Sequence, residues 1–102
     1  MSNTAFGPKD YESEETFTFD FVNLYDSSIL TISTAVVTAA TVSGVDASPS
    51  SMISGAAQIS GTKVLQELVG GVPGAAYHLR CKVTLSDGSI VIIGADLDVR
   101  SF

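Results

Sequence analysis

The chain has 102 residues, 45% of them hydrophobic and 16% charged, and its eleven acidic against five basic side chains leave a net charge of −6. That length supplies a single domain around one core, the few dispersed bases argue against nucleic acid as a partner, and no apolar run reaches the roughly eighteen residues of a membrane helix. No basic segment followed by an apolar run opens the chain, so no secretory signal is expected.

Residues 1–15 (MSNTAFGPKDYESEE) hold few core-forming side chains and end in an acidic cluster, which predicts an N-terminal arm without a core of its own, mobile when free. Phe6 and Tyr11 are the exceptions, either stray aromatics or anchors that order against a neighbouring subunit. The domain proper is expected over residues 16–102. It begins with TFTFDF at 16–21, where Phe17, Phe19 and Phe21 share one face of a strand. Three such rings are read as core, the competing reading being a stacking platform for sugars or bases. After a turn at 23–28, residues 29–43 (ILTISTAVVTAATVS) are rich in Ile, Val and Thr, whose stiff side chains favour one long strand or two short ones over a helix. Residues 44–51 (GVDASPSS) form a loop. Residues 52–60 (MISGAAQIS) make a weak strand, and 63–69 (KVLQELV), with neither face cleanly polar, is a strand or one turn of helix.

The last third has the clearest pattern. From Tyr77 to Leu85 every second residue is apolar, the period of a half-buried strand. Asp87-Gly88 then interrupts, a hairpin signal that predicts a type I′ turn. Val91, Ile93, Ala95, Leu97 and Val99 line the inner face of the return strand, while Ile90 and Ile92 stand apolar on its outer face. Tyr77 opens its strand after a Gly/Pro corner, with an apolar residue two positions on, a context resembling the tyrosine corner of immunoglobulin-like sandwiches. About seven short strands joined by Gly, Pro, Ser and Asp turns give an all-β, immunoglobulin-like β-sandwich with a flexible N-terminal arm.

Catalytic chemistry finds no foothold in this pattern. The single histidine, His78, sits on a strand face with no nucleophile elbow to serve. Cys81 points inward and reads as a small buried hydrophobe, compatible with a reducing cytoplasm. One His and one Cys cannot close a zinc site, and no phosphate-cradling glycine loop precedes a Lys-Ser/Thr pair. Asp96 and Asp98 share an outer strand face, at a spacing of about 7 Å, and are read as a solubilising face that discourages edge pairing, the competing readings being a glycosidase dyad or a calcium ligand set. Catalytic residues, metal ligands and cofactors are therefore all expected to be none.

The pattern Gly-Gly-Val-x-Gly-x-x-Tyr-x-Leu-x-Cys-x-Val-Thr-x-Ser-Asp-Gly from Gly70 to Gly88, closed by Leu97-x-Val99-Arg100, resembles small fibre–tail adaptor proteins of tailed bacteriophages and prophages. Lys9-Asp10 with its following acids, and Ile59-Ser60-Gly61-Thr62-Lys63-Val64, are similar to that family too; Tyr11 stands where the family usually has Pro. The resemblance implies a non-enzymatic virion structural protein, assembled in the host cytoplasm and present in several copies around the tail. Its partners would be other tail, connector and fibre proteins, with no nucleic acid and no membrane. Phe6, Tyr11, Ile90, Ile92 and Phe102 are the expected contacts. The alternative is an immunoglobulin-like binding module for a carbohydrate or receptor, which requires exposed aromatic side chains gathered on one face.

Overall fold

The computed structural model describes residues 2–5 and 8–101. Eight strands follow one another as β1 (Ser2–Ala5), β2 (Lys9–Asp10), β3 (Glu14–Asp20), β4 (Ile32–Ser43), β5 (Ile53–Ser60), β6 (Lys63–Val69), β7 (Ala76–Leu85) and β8 (Ile90–Arg100). A 3-10 turn over Pro49–Met52 precedes β5, and no α-helix occurs among the described residues.

Two sheets face each other. One runs β1-β8-β7-β4, with β2 also on β8, and the other runs β3-β6-β5. Counting from β3, the second, fifth and sixth strands make one sheet and the first, fourth and third the other, which is the C-F-G and B-E-D arrangement of an immunoglobulin-like sandwich. The inner rows interleave between them. Phe19, Phe21, Val64 and Leu68 from one sheet meet Tyr77, Leu79, Cys81, Val83, Ile93, Leu97 and Val99 from the other, all buried. Phe17 is only half-buried at the margin of this core. The Phe stripe is thus core, and the inward Cys81 is fully enclosed.

Several local details differ from the sequence expectation. The hairpin between β7 and β8 does not use a type I′ turn, because within its loop Gly88, at φ 91°, enters the left-handed region and Asp87 does not. Leu85 N–H donates to Ser89 O and Gly88 N–H to Leu85 O, so the loop holds three residues. Such loops close on a left-handed glycine, and Asp87 keeps ordinary φ while its carboxylate accepts the Ser89 N–H at 2.9 Å. Residues 29–31 lie outside β4, which is a single strand. Met52 belongs to the 3-10 turn, and its side chain is fully buried. The segment 63–69 is a strand that turns Val64, Gln66 and Leu68 inward.

Two N-terminal segments, β1 and β2, take backbone partners from the edge of β8. Ser2–Ala5 run parallel to Ile93–Asp96, and Lys9–Asp10 parallel to Val99–Arg100. Glu14 and Glu15 already belong to β3, paired with Val69 and Leu68. The outer edge of β8 offers a row of unpaired amide and carbonyl groups, and an extended segment satisfies them without apolar side chains.

Candidate partner-binding surface

The outer face of β8 and the loop between β3 and β4 build one apolar groove. Alternation along β8 turns Ile90 and Ile92 outward, opposite Thr84 and Lys82 of β7. Ile90 is 55% exposed and Ile92 is half-buried. The loop brings Leu24 to them through a tight turn, in which Leu24 N–H donates to Phe21 O at 2.9 Å. Leu24, Ile90, Val91 and Ile92 line a depression of about 250 Å³.

Both loops at this end are fixed by short-range polar contacts. Ser86 N–H donates to Thr31 O, and Thr31 N–H to the Ser86 hydroxyl, which ties the hairpin turn to the β3–β4 loop. Asp26 accepts hydrogen bonds from the hydroxyl and amide of Ser28. These two bonds hold its carboxyl below the usual carboxylate range. The Ser89 amide and hydroxyl do the same for Asp87. The loops that shape the groove therefore stay anionic to lower pH than ordinary carboxylates would.

Tyr11 lies elsewhere. Its amide donates to Arg100 O at 2.9 Å, and its side chain is 37% exposed. Ten residues of strand separate Ile90 from Arg100, about 33 Å of rise, so the expected contacts divide between the two ends of β8. Phe6 and Phe102 lie outside the described residues. Tyr77, at the start of β7, accepts a hydrogen bond from Val72 N–H at 2.9 Å and donates one to Asp46 Oδ2 at 2.7 Å. Its hydroxyl thus pins the β6–β7 and β4–β5 loops together, and burial raises it above the ordinary phenol range.

The structural places of three residues, Leu24, Lys9 and Gln66, were not foreseen from the sequence. Leu24 lies in a turn whose apolar Leu-Tyr pair was the available clue. Lys9 is fully buried, and its ammonium donates to Asp10 O, Ser13 O and Gly70 O at 2.9, 2.5 and 2.9 Å. Burial lowers its pKa, opposed by the charges of Glu15, Asp10 and Glu14. Gln66 is also buried, its amide donating to Ser54 O and Gly55 O across the irregular stretch of β5.

Chemistry does not gather here. Among the described residues no three His, Cys, Asp or Glu side chains come together as a metal site. His78 and Asp96 pair at 2.9 Å on an exposed face, and burial pushes the Cys81 thiol up to about 12, which leaves it protonated and unreactive at neutral pH. Fold and surface define a small immunoglobulin-like module with an apolar groove at one end of its longest hairpin. The family model described as podophage GP4 fiber-tail adaptor protein gp77 matches residues 9–92, and the chain belongs to that family of phage fibre–tail adaptors. No curated protein and no solved structure matches it.

Proposed function

We propose that this protein is a non-enzymatic component of the virion tail that joins the tail or connector to the tail fibres by protein–protein contact. The family match from Lys9 to Ile92 carries the reading, and the groove at Leu24, Ile90, Val91 and Ile92 supplies a surface suited to it. The groove receives an apolar side chain of one neighbour, and Tyr11, at the far end of β8, engages another together with Phe6. Two separated contact regions on one rigid strand are what a bridging protein needs. Multiple copies around the tail and assembly in the host cytoplasm complete the proposal. The glycan- or receptor-binding alternative gains no support from the described residues, because Phe19, Phe21 and Tyr77 are buried and Phe17 is half-buried.

Tails assembled without this protein, mixed with purified wild type and with Ile90→Asp and Tyr11→Ala variants, provide the test. Wild type is expected to sediment with the tails and restore fibre attachment. Ile90→Asp, with a carboxylate placed in the apolar groove, is expected to weaken association roughly tenfold or more while its melting curve stays that of wild type. Wild type that never sediments with tails, and that is retained by an immobilised glycan, would overturn the adaptor reading.

A further inference from the structure

Between Asp26 and Lys63 the sequence contains one charged residue, Asp46, and its carboxylate is occupied by the Tyr77 hydroxyl. β4 and β5 both fall within this neutral stretch. β4 stands at the end of its sheet and pairs only with β7, so among the described residues its other edge has no strand partner. Exposed edges are ordinarily guarded by Lys, Pro, bulges or brevity. β4 has 12 residues, none charged and none proline. Its two irregularities lie between Ile32 and Thr34 and between Thr41 and Ser43, leaving the stretch between them regular. Beside this edge a cleft of about 250 Å³ opens between β4 and β5, lined by Ala35, Val37, Ile53, Ala57 and Gln66 among others. Val36 and Val42 are 57% and 66% exposed along the same strand.

We propose that the free edge of β4 pairs antiparallel with β4 of a second copy, joining two β8-β7-β4 sheets into one sheet across a two-fold axis. Charge selects this occupant. Two domains of net charge −6 repel one another, and contact through the N-terminal and β3 surfaces, which carry Glu12, Glu14, Glu15 and Asp20, sets carboxylates against carboxylates. The neutral side is the one on which copies meet without that cost. A two-fold contact also satisfies both edges with a single interface. Residues directly opposite in an antiparallel pair share a face of the sheet, so the axis passes through Val37 or Thr38. Either choice keeps Val36, Thr38 and Ala40 on the outer face and Ala35, Val37 and Ala39 on the inner. This contact is independent of the groove at Ile90 and Ile92.

Analytical ultracentrifugation across micromolar to millimolar concentration tests the contact. Wild type is expected to pass from the 10.6 kDa monomer to a dimer, more readily at high salt, where the mutual repulsion is screened. A Val36→Lys, Thr38→Lys variant places four lysines across the seam and is expected to weaken dimerisation roughly tenfold or more. Both positions are exposed, and a melting curve of the dilute variant shows that the fold is kept. Amide exchange in β4 is expected to slow with concentration in wild type and not in the variant. A wild type that stays monomeric throughout, a dimer dissolved by salt, or a variant that dimerises like wild type would overturn the proposal. None of these outcomes bears on tail binding, which is read separately.

Discussion

A fully buried lysine is unusual, and Lys9 resolves the difficulty geometrically. An ammonium has three donors, and here three backbone carbonyls receive them, from Asp10, Ser13 and Gly70. Methionine would fill the space and leave those carbonyls unpaired, so Lys9→Met is expected to destabilise the domain by about 2 kcal/mol or more, read from urea denaturation. Arginine, with a planar fork in place of a compact tripod, is not expected to rescue it. Cys81 supplies a pH dependence. Its thiol, raised from 9.0 to about 12 by burial, keeps a proton that the unfolded chain gives up. Its contribution to stability is therefore complete below about pH 9 and falls as pH rises toward 12, by up to about 1.4 kcal/mol per pH unit. Comparing urea midpoints of wild type and Cys81→Ala at pH 8 and 10 isolates this slope, because the other titrating groups are common to both.

At the scale of elements, β5 depends on its neighbour. Its register against β6 shifts between Ser54 and Gln58, and the Gln66 amide closes the opened backbone at Ser54 O and Gly55 O. Gln66→Leu keeps the volume and loses the donors, so amide exchange over β5 is expected to accelerate with little change in β7 and β8, at a cost of about 1 to 2 kcal/mol. The same elements show what the sequence could reveal. The β7–β8 hairpin was legible because alternation over ten and eleven residues leaves one choice of inner face, and its Asp87-Gly88 located the reversal. The turn type was not legible, because Asp-Gly serves two-residue and three-residue loops alike. Lys9 was hidden for a different reason. A lysine among polar residues looks solvated, and only the folded chain brings Gly70 within its reach. The groove was half visible: Ile90 and Ile92 broke the polar outer face, whereas Leu24 joins them by a loop that no periodicity describes.

Across the whole molecule, the all-β sandwich followed from the count of short strands and the Gly, Pro, Ser and Asp turns between them. The N-terminal partnership did not follow, because β1 and β2 pair with β8 through backbone bonds, which leave no periodic pattern in the sequence. That partnership gives the domain a mechanical character. Ser2–Ala5 and Lys9–Asp10 run in the same direction as β8, so tension applied through Ser2 and Arg100 slides the strands past each other and loads their bonds together, where an antiparallel edge pulled from one end would open one bond at a time. Single-molecule stretching of the wild type between Ser2 and Arg100 is expected to require a higher force than stretching a chain without residues 1–7 between its first residue, Pro8, and Arg100; equal forces would show that β1 bears no load. In a protein whose family links fibres to tails, the weakest-looking segment of the sequence would then be the one that resists being pulled apart.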